Sequence, residues 1–268
     1  TNNLVSLPKK EGMSVYTTEI ASDQIPSDNP IHQRLLQAYY EAAPFIEGDL
    51  LELGCGEGRG VEILTAKANS YLGLDKIEEV IANLKAKYPD HQFESSVFPP
   101  FKIPDNSFDT VVSFQVIEHI KKDELFLSEI QRILKPGGKA ILSTPNIKMT
   151  LSRNPWHERE YTADELAGLA GKYFSKVDMR GIAGNEKVLE YHERNRKSVQ
   201  KIMKYDFLDL QYKLPASFLR LPYDLLNRRN RNKLQNEADE LVLSITREDY
   251  YLNPKSETNL DLFCILYK

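Results

Sequence analysis

Asp49-Leu50-Leu51-Glu52-Leu53-Gly54-Cys55-Gly56-Glu57-Gly58-Arg59-Gly60 decides how this chain is read. It opens as a short apolar run fit for a buried strand, then breaks into glycines at every second position. Val61-Glu62-Ile63-Leu64 resumes in helix-compatible fashion. Strand, glycine turn and helix form the local context in which a Gly-rich loop binds a nucleotide. Glycine lets the chain turn tightly and brings backbone against a ligand with no Cβ between them. A dinucleotide fingerprint needs glycines at its first, third and sixth positions, where this chain has Gly54, Gly56 and Arg59. Gly58 comes one residue early, so the pyrophosphate reading fails by a single position. A second strand-like run, Tyr71-Leu72-Gly73-Leu74, closes on Asp75, 21 residues after Gly54. An acidic residue there is placed to accept hydrogen bonds from ribose hydroxyls. The pattern fits a nucleoside without a pyrophosphate; a purely structural glycine turn in another α/β protein is the alternative.

Outward from this stretch the chain alternates helix and strand, the signature of a parallel sheet with helices on both faces. Ahead of it, Leu35, Leu36, Tyr39, Tyr40 and Ala43 recur at helical spacing, with Pro30 at the helix start and Asp28 and Asn29 as cap candidates. After it the expected elements are a helix over 59–66, a strand over 70–74, a helix over 77–88 and a strand over 91–95. A strand over 108–114 follows, then a helix over 121–134 that Gly137 and Gly138 end in left-handed fashion, and a strand over 139–144. Thr162 and Glu165 have capping-box spacing for a helix through 170, followed by a strand over 174–180. The last strand, 259–267, is expected at the sheet edge.

Four separated phrases in this order carry a resemblance: Glu52-Leu53-Gly54-Cys55-Gly56-Glu57-Gly58, Asp75, Pro104-Asp105-Asn106-Ser107-Phe108-Asp109, and Leu134-Lys135-Pro136-Gly137-Gly138. Over residues 48–146 the chain resembles the class I S-adenosylmethionine (SAM)-dependent methyltransferases. The resemblance implies a Rossmann-like, seven-stranded, mostly parallel α/β sheet with an antiparallel last strand and helices on both faces. It implies SAM as cofactor and S-adenosylhomocysteine as product. Glu52, Gly54, Cys55, Gly56 and Gly58 would then line the methionine end, with Phe114 and Gln115 beneath it. Asp75 would hold the ribose with Lys76 beside it, and Val97 and Phe98 would flank adenine. The family usually has an acidic residue where Val97 stands, so a polar contact to adenine is missing or the register differs. The helix ahead of the first strand would help cover the cofactor, with His32 and Arg34 facing the pocket or lying on a solvated face.

Composition is ordinary: 268 residues, 41% hydrophobic, 28% charged, net charge −4. That describes a globular protein without a global attraction for nucleic acid or anionic membrane. Two cysteines, Cys55 and Cys264, sit in buried-looking segments and suggest a reducing compartment. With no transmembrane stretch or signal core, the chain is expected to be cytoplasmic, as a monomer or homodimer. The expected domains are an arm over 1–29, a SAM-binding core over 30–184, a helical cap over 185–256 and a final core strand over 257–268. The connection carrying the cap is too long to be plain. Its basic run, Arg228 to Lys233, is read as a solvated helix end or an anion site.

Ligands of open α/β sheets bind beyond the carboxyl ends of the strands. Gln115-Val116-Ile117-Glu118-His119 follows the fourth strand, and Trp156-His157-Glu158-Arg159-Glu160-Tyr161 follows the fifth. A hydroxyl acceptor needs a base, commonly His, so His119 or His157 is the candidate, with Trp156 and Tyr161 shaping the pocket and Tyr161 counted among the catalytic residues. The alternative is that these residues are structural. In the small-RNA 2′-O-methyltransferases and ubiquinone-biosynthesis O-methyltransferases a Glu-x-x-Glu-His phrase contributes to a metal site. Here Gln115 replaces the first Glu, leaving Glu118, His119 and possible help from His157, so no metal is expected. The expected reaction is methyl transfer to a small-molecule or sugar-like acceptor at oxygen. The rivals are an RNA 2′-O-methyltransferase, with metal assistance, and a SAM-binding protein without turnover.

Overall fold

A computed structural model describes residues 25–204, 206, 210–237 and 239–268. Most of the expected arm therefore lies outside the described residues. The chain forms α1 (Asn29–Ala42), β1 (Asp49–Leu53), α2 (Val61–Thr65), β2 (Ser70–Asp75), α3 (Glu78–Lys87) and β3 (Gln92–Ser95). It continues through β4 (Phe108–Phe114), α4 (Asp123–Ile133), β5 (Leu134–Pro145), α5 (Ala163–Ala170) and β6 (Lys176–Gly184). Then come α6 (Glu186–Met203), α7 (Leu210–Lys213), α8 (Ala216–Glu237), α9 (Asp239–Ser244), β7 (Tyr250–Pro254) and β8 (Asp261–Tyr267).

The sheet has eight strands in the order β3-β2-β1-β4-β5-β8-β6-β7. β1 to β5 pair in parallel, and the β8, β6 and β7 pairings are antiparallel. The mixed, mostly parallel α/β reading holds, with two corrections. β8 lies between β5 and β6 instead of at the edge. Residues 261–266 are all buried, and a strand apolar on both faces needs cover on both sides. The edge is taken by an additional strand, β7, whose weaker alternation gave no strand signal.

Alternate residues supply two cores, one on each face of the sheet. Leu50, Val112, Ile141 and Phe263 face the layer of α1, α2 and α3. Leu51, Val111, Leu142 and Cys264 face α4 and α5, including Phe126, Ile130 and Leu166. Strand order reverses between β1 and β4, which is the switch point where α/β sheets open a ligand crevice.

Local chemistry explains the ends of elements. Thr162 and Glu165 form the expected reciprocal capping box. α4, by contrast, ends when Leu134 turns extended at ψ 141°, and Gly137 has its positive φ further along the turn, so no left-handed glycine cap is used. Asp28 does not cap α1; its wholly buried carboxylate accepts hydrogen bonds from Arg228 and Arg231 at 2.7 and 3.0 Å. The basic run is thereby part of α8's attachment to the start of α1. Among the described residues no helix is long and apolar enough to cross a membrane.

Candidate active site

Two cavities meet at the switch point. The first, about 590 Å³, is lined by the glycine loop, α1, Phe114 and Gln115. Gly54, Gly56 and Gly58 all have positive φ, so the loop curls in a form that side-chain-bearing residues resist. A Cβ on Gly54 would lie 2.4 Å from Val116 Cγ2, whereas one on Gly56 would meet nothing within 4 Å, on the loop's open side. Leu74 O accepts from the amides of Gly54 and Cys55 at 2.8 and 3.0 Å. Asp75 accepts from the Gly56 and Ile77 amides, both at 3.0 Å. The end of β2 thus fixes the shape of the loop after β1.

Of the cofactor-site candidates, Gly54, Cys55, Gly56, Gly58, Phe114 and Gln115 line this cavity. Glu52 does not. It is 1% exposed beneath the loop and accepts hydrogen bonds from Tyr39 and Tyr71 at 2.9 and 2.5 Å. Burial pushes its carboxyl up to about 7. Asp75, Lys76, Val97 and Phe98 lie outside the lining; Val97 is 80% exposed, and Phe98 packs on Phe101 and Phe126. His32 lines this first cavity and Arg34 the second one.

The second cavity, about 270 Å³, shares Leu35 and Gln115 with the first. Its floor is the turn after β4 and the loop after β5. Gln115 holds a positive φ of 57°, an uncommon conformation for a non-glycine residue, and its amide donates to Ser143 O at 2.9 Å. The Ile147 amide donates to Tyr161 O at 3.1 Å, closing the loop on itself, and the Glu158 amide donates to Glu118 O at 2.7 Å, lacing the loop to the turn. This brings His119 and His157 together, with ring centroids 4.9 Å apart and edge-to-face.

Hydrogen bonds fix both tautomers. His119 Nδ1 lies 3.0 Å from the Trp156 carbonyl, which can only accept, so Nδ1 carries the proton and Nε2 the lone pair. Asn154 Oδ1 accepts from Trp156 N at 3.0 Å, which turns its amide nitrogen toward His157 Nε2 at 2.8 Å. His157 Nδ1 therefore donates to Glu160 Oε1, at 2.6 Å. Thr150 donates a short hydrogen bond to the other Glu160 oxygen. Burial lowers the His119 imidazole to about 4, so it is neutral at physiological pH. Glu118 is wholly buried, accepts from Thr144 Oγ1 at 2.9 Å, and is pushed up to about 7 by that burial.

Ligand atoms of Glu118, His119 and His157 lie within 4.8 Å of one another, so these residues could hold a metal ion. Two imidazoles and one carboxylate suit a borderline metal better than magnesium or calcium. Both His157 nitrogens already have the partners just described.

Tyr161 departs from its expected place. It is wholly buried beneath the sheet, donates to Asp123 Oδ2 at 2.9 Å, and does not line the second cavity. Trp156 donates to Asp224 at 3.1 Å and stacks under Arg220, pinning α8 over the loop. The residues that sequence reading missed come from helices far away in the chain. Tyr191, His192 and Asn195 of α6 and Tyr223, Asn227 and Asn230 of α8 roof the cavity. A helical cap was expected over this stretch, but nothing in the sequence said which of its residues turned inward.

Residues 51–142 match a family model described as a methyltransferase domain. A protein of Mycolicibacterium smegmatis named as a probable SAM-dependent methyltransferase is 32% identical over 222 residues, which span 80% of this chain and 77% of that relative. A similarly named protein of Mycobacterium tuberculosis is 35% identical over 160 residues, spanning 56% of this chain and 57% of its own length. A crystal structure from Thermotoga maritima, titled as a SAM-dependent methyltransferase, aligns over 89% of this chain and 91% of its own. Its TM-score is 0.57 at 16% identity, a likeness of fold.

Proposed function

Since the chain belongs to the SAM-dependent methyltransferases, we propose that it methylates a hydroxyl oxygen of a small, sugar-like acceptor held in the second cavity. The junction of the two cavities at Leu35 and Gln115 carries this reading, because a methyl donor in one and an acceptor in the other would meet there. A curled glycine backbone and an apolar floor at Phe114 in the first cavity fit a methionine-bearing nucleoside, and Asp75, outside the lining but bonded to the Gly56 amide, keeps acceptor capacity beyond its two amide bonds. When bound, SAM supplies a methyl group activated on a sulfonium.

The chain's own work is alignment, exclusion of water and handling of one proton. α1, α6 and α8 wall the acceptor in on one side. The neutral His119 presents the Nε2 lone pair, with Trp156 O holding the ring, and takes the hydroxyl proton as general base. Glu160 favours the positive charge that then develops. The cavity offers amides, phenols and hydroxyls, and its arginines are paired, Arg34 with Asp261 at 3.1 Å and Arg231 with Asp28 at 3.0 Å. That chemistry favours a neutral polyhydroxylated head over a phosphate. It also removes from the RNA reading much of the basic run on which it relied.

The test uses methyl-labelled SAM with a panel of soluble polyols and sugars, matched by amines and carboxylates, alongside calorimetry of SAM binding. Label transferred to hydroxyl acceptors supports the reading. Transfer to amines or carboxylates alone overturns the oxygen assignment, and absence of SAM binding overturns the reading as a whole.

A further inference from the structure

A third cavity, about 450 Å³, runs between α6 and α8. That lies within the roughly 300–1,000 Å³ usual for small-ligand pockets. Its walls are mainly hydrocarbon: Val199, Ile202 and Met203 of α6 face Leu219, Pro222 and Leu226 of α8, with Arg153, Asp206 and Gln211 also in the lining. It adjoins the second cavity, since Ser152, Val199, Tyr223, Asn227 and Asn230 line both.

The two helices change character together along their length. On α6 the turns at Tyr191, His192 and Asn195 line the polar cavity, and the following turns at Ile202 and Met203 line the apolar one. α8 runs the other way, with Asn195 receiving a hydrogen bond from Asn230 at 2.8 Å. Its later residues, Asn227 and Asn230, reach into the polar cavity, while Leu219 and Pro222 line only the apolar one. The apolar surface also continues past the mouth. Phe218, Leu221 and Leu225, one helical step round from the lining, are 73%, 79% and 69% exposed. A polar chamber side by side with a mainly apolar one matches a molecule with the same division, because burying its hydrocarbon is favourable only against apolar walls.

We propose that the third cavity holds the hydrocarbon chain of an amphipathic acceptor whose polar head, carrying the methylated hydroxyl, occupies the second cavity. This rests on the methyl-transfer reading above and specifies its substrate class.

The experiment is calorimetric titration with methyl, butyl, hexyl and octyl β-D-glucosides below their micelle-forming concentrations, with and without saturating S-adenosylhomocysteine. The head is constant, so the slope against chain length reports the chain alone. Affinity is expected to rise about two- to fourfold per added methylene. Leu226→Asp, which places a carboxylate in the wall, should flatten that slope while leaving S-adenosylhomocysteine affinity unchanged. Leu221→Asp, on the exposed stripe, should leave the slope intact. A flat series or no binding in the wild type overturns the proposal, as does a slope that survives Leu226→Asp or is lost only in Leu221→Asp. A flat series with intact cofactor binding sinks the chain subsite and spares the methyl-transfer reading. Loss of cofactor binding in the wild type sinks the reading itself.

Discussion

The two halves of the proposed site, one for the cofactor and one for the acceptor, are built from different materials. The cofactor half is backbone: a glycine turn whose shape is set by positive φ angles and by amide hydrogen bonds to Leu74 O and Asp75. The acceptor half is side chains gathered from α1, the turn after β4, the loop after β5, α6 and α8. A backbone site tolerates almost no change at its glycines and leaves a local pattern in the sequence. A side-chain site is assembled by tertiary packing, so its parts are separated by most of the chain length and no motif marks them.

Breaking the backbone half should give the largest effect. Gly54→Ala puts a Cβ 2.4 Å from Val116 Cγ2 at a residue whose φ is +78°. Relief requires the loop to move, and SAM affinity should fall by about a hundredfold, from strain of order 1–3 kcal/mol plus lost contacts. Calorimetry checks this; binding within threefold of wild type would show that the loop does not shape the cofactor site.

The acceptor half should break in the opposite sense, losing rate and keeping the cofactor. His119→Gln removes the lone pair at Nε2 without emptying the site. A loss of kcat of about 10²- to 10⁴-fold is expected, with SAM affinity within twofold. Retained kcat would remove His119 from the chemistry. A smaller effect separates a positioning residue from the base itself. Glu160→Gln keeps the hydrogen bond from His157 and discards the charge that favours a protonated His119. We expect roughly a tenfold lower kcat and an acid limb of the pH–rate profile shifted to lower pH. An unshifted limb would reduce Glu160 to scaffolding.

Legibility in the sequence followed the same division. Gly54, Gly56, Gly58 and the turn at Asp75 were readable because local conformation demands those residue types. Strand boundaries around them came out within a few residues for the same reason. His119 and His157 were readable only through their proximity to strand ends, and Tyr161, four residues beyond His157, turned into the core instead. Asp28 had the sequence signature of a helix cap but serves as a buried counter-ion to Arg228 and Arg231, more than 190 residues away, a pairing that no local pattern encodes. The place of β8 was legible in principle, since Leu262, Phe263, Cys264 and Ile265 are apolar on both faces, and an edge strand has little use for that.

One comparison crosses the boundary between the halves. Each has a wholly buried glutamate pushed up to about 7 by desolvation, Glu52 below the glycine loop and Glu118 beside the acceptor cavity. Glu118 lines a cavity, whereas Glu52 is sealed under two tyrosine hydroxyls, so Glu52 reports on stability alone. Its carboxyl has an ordinary value of 4.5 and a folded value of about 7, so the native state binds the extra proton between those limits. Its contribution to stability is therefore complete below pH 4.5 and is lost as pH rises through 7. Glu52→Gln keeps the shape and cannot ionise. Relative to wild type the variant should gain stability from pH 5 to pH 8, by on the order of 3 kcal/mol at most. Taking the difference between the two proteins at each pH cancels Glu118 and His119, which titrate in both. Denaturant melts at matched pH values measure it, and a difference that stays flat with pH would mean that the two tyrosines stabilise the Glu52 carboxylate as well as water does.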